Sequence, residues 1–282
     1  AELYALGQGL DAVAERLDNA AAKGYEALRS EHIEDYQSIF SNVTLDLGGK
    51  ATNRETDKLL SDYRADNNIT SQRPAALRYL EELYFQYGRY LLISSSRQGT
   101  LPANLQGVWN REYDPMWQSD YHLNINLQMN YWPANNTNMQ ETLYALVDYM
   151  DSLRKPGREI AYRVYGVGDG DPDTETGWVA HVSSNPFGFA GFHNTIAGDD
   201  GGYPQYSPES AMWMMQNIYN MYQYYPDEAY LRGHIYPIMK EAALFYSDPE
   251  VLVEDPASGR MVMSPTYSSE HGPMWGGDTF QQ

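Results

Sequence analysis

Polar and apolar residues alternate strictly between Tyr121 and Tyr131. A period of two is typical of an extended segment, in which successive side chains point to opposite faces. The pattern therefore predicts an extended segment with one uncharged polar face. The polar members of the row are one imidazole and four amides: His122, Asn124, Asn126, Gln128 and Asn130.

The composition of this row favours a ligand-binding face. Asparagine is uncommon in strands, and a face that meets water usually carries charged side chains. Trp109, Trp117 and Trp132 lie close to the row in sequence. Neutral donors and acceptors beside flat rings suit a hydroxyl-rich ligand such as a sugar. The alternative is a buried loop whose amides satisfy neighbouring backbone groups.

A helical period, with apolar residues three and four positions apart, predicts helices elsewhere. Stretches rich in Gly, Pro and Asn separate the helices. Helices joined by alternately short and long connections favour an α/α toroid with its long loops on one face, and an irregular helical bundle is the alternative. The helical segments are 74–96, 143–150, 212–222 and 231–245, and the long connections are 97–135, 164–207 and 247–282.

Two short segments with β-like patterns follow from the sequence. Val43, Leu45 and Leu47 alternate with polar residues before a glycine pair, which indicates a short β or linker segment near the N-terminal end. A turn at 255–259 separates two further apolar runs and predicts a strand pair.

Composition excludes several classes of partner. The 282 residues carry a net charge of −19, which argues against nucleic acid or an anionic membrane as the partner. No apolar run is long enough to insert into a membrane, and Ala1 does not open a signal-peptide pattern. Cysteine is absent, so the chain has no disulfide and no thiolate nucleophile.

No metal and no cofactor are expected. The acidic run 169–175 spaces carboxylates two residues apart, as calcium loops do, but Pro172 interrupts it and the required glycine and glutamate are missing. The histidines His181, His193 and His271 are too scattered for a zinc site. We interpret the acidic run as an exposed insertion.

Glu270 is a candidate general acid. It is the lone acid of a loop that also contains Tyr267 and Trp275. Burial beside such neighbours raises the pKa of a carboxylic acid, which keeps it protonated near neutral pH. The alternative is a solvated carboxylate with no role in chemistry.

Five runs together resemble family 95 of the glycoside hydrolases, whose best-known activity is 1,2-α-L-fucosidase. Runs in this order over residues 101–272, about 60% of the chain, make chance agreement a poor explanation. The runs are Leu-Pro-Ala-Asn-Leu-Gln-Gly-Val-Trp-Asn at 101–110, Asp-Tyr-His-Leu-Asn-Ile-Asn-Leu-Gln-Met-Asn-Tyr-Trp-Pro at 120–133, Gly-Trp-Val-Ala-His at 177–181, Asn-Pro-Phe-Gly at 185–188 and Ser-Pro-Thr-Tyr-Ser-Ser-Glu-His-Gly at 264–272.

The resemblance implies a mainly α fold containing part of an (α/α)6 barrel, with a short β or linker segment at the N-terminal end. Residues 1–50 would be a linker and the end of a preceding domain, and residues 51–282 the first part of the catalytic barrel. It also implies a bacterial enzyme that acts outside the cytoplasm, extracellular or periplasmic.

The resemblance further implies an inverting mechanism. Glu270 would be the general acid, and Asn124 and Asn126 would hold the attacking water through their side-chain carbonyls. An aspartate after Gln282 would polarise these amides. Inversion requires roughly 6.5–9.5 Å between the acid and the group that activates water. Sugar contacts are assigned to His122, Trp109, Trp117, His181 and His193.

The implied substrate is a fucosylated glycan, from which terminal L-fucose is released at Fuc-α-1,2-Gal. An α-L-galactosidase of the same family and an inactive carbohydrate-binding relative stay as alternatives, since a pocket separates L-fucose from L-galactose by one hydroxyl. Two departures from the family pattern are Ser269, where proline is usual, and the long acidic insertion at 168–175.

Overall fold

The computed structural model describes residues 6–191 and 207–266, and this part of the chain is mainly helical. Short 3-10 turns lie at Thr70–Gln72 and Met116–Ser119, and a π-helical turn at Leu231–Ile235 separates the last two α-helices described. The α-helices are α1 (Leu6–Lys23), α2 (Tyr25–Phe40), α3 (Thr56–Ala65), α4 (Ala75–Ser95), α5 (Asn126–Asn136), α6 (Gln140–Ser152), α7 (Arg154–Tyr165), α8 (Glu209–Tyr224), α9 (Glu228–Tyr230) and α10 (Tyr236–Tyr246).

Short strands form two antiparallel pairs in the described residues. β1 (Tyr121–His122) pairs with β2 (Ser183–Ser184), so that two long connections meet. β3 (Leu252–Glu254) pairs with β4 (Met261–Met263) as a hairpin. The hairpin confirms the strand pair predicted around the turn at 255–259.

The predicted helices are confirmed. α4 begins at Ala75, directly after Pro74, and it buries Leu77, Leu80 and Leu92 along one face. α6 and α8 contain the segments predicted from apolar residues at 143–150 and 212–222, and α10 ends the segment predicted at 231–245. In each case the apolar spacing matches the face that packs against the core.

The prediction of an extended segment over 121–131 is wrong beyond His122. Residues 123–125 form a turn, and α5 begins at Asn126 inside the predicted long connection 97–135. Leu127, Tyr131 and Ala134 are buried, and their spacing of four and three residues fits a helix that contacts α6 and α8. Over so short a segment, the strand period of two and the helical period of 3.6 place some of the same residues on one face. Burial of the face that contains Leu127, Tyr131 and Ala134 favours the helix.

The segment 43–47, for which β structure or a linker is predicted, has no regular structure. The backbone N–H groups of Leu47 and Gly49 donate to the Glu82 carboxylate on α4, at 2.6 and 2.9 Å. Gly49 lies so close to α4 that an added Cβ would be 2.6 Å from the Tyr79 backbone. A helix side chain, and not a neighbouring strand, therefore satisfies these donors.

One hydrophobic cluster joins the helices to the connections between them. It includes Ile39 from α2, residues from α5, α6, α8 and α10, and the loop residues Leu123 and Trp178. The Trp178 side chain is fully buried, and its Nε1 donates to the Ile238 carbonyl at 3.0 Å. The loop that leads to His181 is therefore fixed by the core.

The acidic insertion is held against α7 by ion pairs. Glu175 accepts from Arg154 at 2.7 Å, and Asp173 accepts from Lys155 at 2.6 Å. Arg154 and Arg158 both contact Glu241, which is 1% exposed. The hydrogen bond that Arg158 donates to Glu241 raises the pKa of Arg158, although burial opposes this shift.

Candidate functional site

The amide row divides into two pairs with different surroundings. Asn124 lies in the turn before α5, and Asn126 is the first residue of α5. Neither side chain forms a hydrogen bond with another described residue, and Asn124 Oδ1 is buried without a partner there. A buried acceptor without a protein partner can accept from a ligand or a water molecule.

Gln128 and Asn130, in contrast, support the backbone. Gln128 is 1% exposed and its Nε2 donates to the Leu123 carbonyl, which closes the turn before α5. Asn130 Nδ2 donates to the carbonyls of Ala103 and Asn104, at 3.3 and 3.1 Å. The interpretation as backbone-satisfying amides therefore describes these two residues.

His122 is oriented by an acidic neighbour. Its Nδ1 hydrogen-bonds the Asp120 carboxylate, and both side chains are 19% exposed. A neutral imidazole that donates from Nδ1 presents Nε2 as an acceptor. Sequence reasoning did not single out Asp120, although residues two apart near a strand share a face, which was the available signal.

The pairing of β1 with β2 places the 120–133 run beside the segment that joins the 177–181 and 185–188 runs. His122 is opposite Ser183 in the pair, and Leu123 N–H donates to the Val182 carbonyl at 2.6 Å. Behind the pair, Tyr149 Oη hydrogen-bonds Ser184 Oγ at 2.8 Å. These contacts place His122 beside the loop that contains His181.

Hydrogen bonds of two tyrosines, one on β1 and one on α5, hold the 101–110 run beside the same strand pair. Tyr131 Oη accepts from the Ala103 N–H at 2.8 Å, and Tyr121 Oη donates to the Pro102 carbonyl at 3.1 Å. Burial raises the pKa of Tyr121 to about 12, so its hydroxyl stays protonated as a donor at neutral pH.

His181 lies in the interior. Its side chain has no exposed surface, its Nδ1 accepts from the Ser207 N–H at 2.9 Å, and its ring stacks on Tyr165 with centroids 5.8 Å apart. In this arrangement the imidazole supports the loop, and the proposed sugar contact of His181 stays a prediction.

Trp109 and Trp117 are exposed by 46% and 62%, respectively. Trp109 lies over Gly107, where an added Cβ would be 2.8 Å from the ring, and it lines a cavity of about 420 Å³ between α4 and the 101–110 run. Trp117, Gln118 and Ser119 have left-handed backbone angles, an unusual conformation for residues other than glycine.

Glu270 and His193 lie outside the described residues. Thr266, four positions before Glu270, is 1% exposed, and its Oγ1 donates to the Glu209 carboxylate at 3.4 Å. Sequence reasoning did not identify Glu209. The Ser-Pro-Glu order at 207–209, which is typical of a helix start, was a signal for α8 but not for this contact.

Two further properties concern only the described part of the chain. No group of three or more His, Asp or Glu side chains in it could hold a metal ion. None of its helices combines the length and the apolar character needed to cross a membrane.

Comparison with known proteins identifies relatives of this chain. The Glycosyl hydrolase family 95 catalytic domain matches residues 24–281. "Probable alpha-fucosidase A" of Aspergillus niger is 41% identical over 266 residues, which are 93% of this chain and 31% of that protein. "Alpha-L-fucosidase 2" of Arabidopsis thaliana is 36% identical over 259 residues, 91% of this chain and 28% of that protein.

The chain thus spans about a third of the length of these relatives. They are fungal and plant proteins, and the expected bacterial source stays a prediction. The family match covers more than half of the chain and includes all five runs that carry the resemblance. The chain therefore belongs to glycosyl hydrolase family 95.

Proposed function

We propose that this chain provides the acid and the water-holding side of an inverting α-L-fucosidase, which releases terminal L-fucose from Fuc-α-1,2-Gal glycans. The observation that carries the proposal is the pair Asn124 and Asn126. These two amides have no protein partner among the described residues, whereas the next two amides of the same row support the backbone. The names of the fungal and plant relatives support fucose as the sugar, and the plant relative's name specifies L-fucose.

In the proposed reaction a water molecule attacks the anomeric carbon while the bond to the leaving oxygen breaks. Glu270 gives its proton to that oxygen, while on the opposite face of the sugar the water transfers one proton, by way of the amide carbonyls that hold it, to the carboxylate that polarises them. The Asn124 and Asn126 carbonyls accept hydrogen bonds from the water and fix its direction of attack. Such acid and base assistance contributes roughly 10²–10⁴ in rate per group.

Neutral amides are weak bases, so the proposal includes a carboxylate that polarises them. We assign this role to an aspartate that follows Gln282 in the sequence. His122 would accept from a sugar hydroxyl through Nε2, because Asp120 engages Nδ1. Asp120 thereby favours the tautomer with the proton on Nδ1, which leaves Nε2 as the acceptor that faces the sugar.

The proposal also includes the larger architecture. Residues 51–282 would form the first part of an (α/α)6 barrel, residues 1–50 would lead into it, and Trp109 and Trp117 would stack on the glycan. An enzyme acting on such glycans would work outside the cytoplasm, and fractionation of cells that express the full-length protein tests this location.

The function is tested by incubating the full-length protein with 2′-fucosyllactose and, separately, with an α-L-galactoside. We expect release of fucose, with the β-anomer appearing first by NMR, since inversion of an α-linked sugar gives β. Initial release of the α-anomer would contradict inversion. Faster cleavage of the galactoside would assign the chain to the galactosidase alternative, and binding without cleavage would assign it to the inactive relative.

A further inference from the structure

We propose that Glu209 is a positioning residue for the general acid, because its carboxylate joins the buried His181 loop to the segment that enters the Glu270 loop. This inference rests on the function proposed above.

The two oxygens of Glu209 contact two different parts of the chain. Oε1 accepts from Ser207 Oγ, and Oε2 accepts from Thr266 Oγ1 at 3.4 Å. Thr266 follows Ser207 by 59 residues, so this carboxylate connects segments that are distant in sequence. A carboxylate suits the position because each of its oxygens accepts without donating.

Ser207 extends the connection to the buried His181. Its backbone N–H donates to His181 Nδ1 at 2.9 Å, and its hydroxyl lies 2.9 Å from Ser210 Oγ. His181 in turn stacks on Tyr165 in the core. The carboxylate is therefore linked through a single residue to a side chain that has no exposed surface.

Glu209 lies on a helix that packs into the main core. Glu209 lies in the first turn of α8, where the helix dipole favours a negative charge, and α8 buries Ala211 and Met214 in the main core. The preceding Pro208 carbonyl accepts from Tyr246 Oη. Burial and the charge of Glu209 raise the pKa of Tyr246, so this hydroxyl remains a donor.

Chain geometry connects this support to the acid. Glu270 follows Thr266 by four residues, so the two Cα atoms are at most about 14 Å apart. The position of Thr266 therefore limits the region that Glu270 can occupy. Proton transfer requires hydrogen-bond distance between acid and leaving oxygen, and errors of about 1 Å can cost 10²-fold in rate.

The test uses Thr266→Val in the full-length protein, which keeps the side-chain shape and removes the hydroxyl. Thr266→Ser is the matched control, because it keeps the donor. We expect Thr266→Val to lower kcat on 2′-fucosyllactose about tenfold with KM little changed, and Thr266→Ser to retain wild-type kcat. On an aryl α-L-fucoside with a good leaving group, kcat of Thr266→Val should change less than about twofold, since such a substrate needs little acid assistance.

Glu209→Gln gives an independent measurement with the same expected dependence on the leaving group. Adding Thr266→Val to Glu209→Gln should cause little further loss, because both changes break one contact. Equal losses on both substrates, or wild-type kcat in Thr266→Val, would overturn the inference. Absence of fucose release by the wild-type protein would instead contradict the proposed function.

Discussion

Replacing Asn124 with alanine separates a functional amide from a structural one. Asn124 Oδ1 is buried and has no partner among the described residues. A buried acceptor without a partner costs about 1–3 kcal/mol in the folded state, and alanine removes this cost together with some packing. The two effects oppose each other, so we expect the free energy of unfolding to change by less than about 1 kcal/mol. In a large domain this corresponds to a Tm shift of at most about 2–4 °C.

The same substitution should strongly reduce turnover. If Asn124 holds the attacking water, its interaction is stronger in the transition state than with bound substrate. We expect kcat on 2′-fucosyllactose to fall at least about 100-fold with KM little changed, which corresponds to about 2.7 kcal/mol in the barrier. Steady-state kinetics and thermal unfolding of the same preparations measure both effects.

Two control variants accompany this substitution. Asn53→Ala changes an exposed asparagine with no side-chain hydrogen bond to a described residue, and it should alter neither kcat nor Tm. Gln128→Ala should lower both, because Gln128 is buried and closes the turn that carries Asn124.

One pattern of results would refute this reasoning. A loss of more than about 2 kcal/mol of stability in Asn124→Ala would identify Asn124 as a structural amide. A raised KM at unchanged kcat would make it a sugar ligand and exclude water activation.

Three further changes have specific expected outcomes. Glu270→Gln should lower kcat at least about 100-fold on 2′-fucosyllactose and much less on an activated aryl fucoside, and equal losses in these assays would assign Glu270 a structural role. Asp120→Asn should lower kcat/KM about tenfold, because the hydrogen bond to His122 loses its charge, and unchanged Michaelis kinetics would contradict this role. Glu241→Gln removes the buried partner of two arginines and should lower the free energy of unfolding by about 3 kcal/mol, so an unchanged urea midpoint would count against this network.

The sequence determined the helices whose apolar residues recur at three and four positions. α4, α6, α8 and α10 lie where this spacing predicts them, because each needs one continuous apolar face to enter the core. The turn at 255–259 likewise identified the β3–β4 hairpin. The runs that resemble the family were also sufficient to identify it.

Tertiary structure decided the meaning of the amide row. Alternation predicted one polar face over 121–131, but burial of Leu127 and Tyr131 makes α5 begin at Asn126. The helix directs Gln128 into the interior, where its Nε2 donates to the Leu123 carbonyl, whereas Asn124 remains in the turn and its side chain has no hydrogen-bond partner among the described residues. Local periodicity could not separate these amides, because their roles depend on packing against helices that follow later in the chain.

The partners of the charged groups were likewise decided only by the fold. The contact of Glu209 with Thr266 and those of Glu241 with α7 join segments that are 57 and more than 80 residues apart. No local pattern in the sequence predicts such contacts. A carboxylate on a helix is expected to face water, and only the packing of a distant segment against it shows otherwise. Burial then makes a partner necessary, and only the tertiary structure shows which residue provides it.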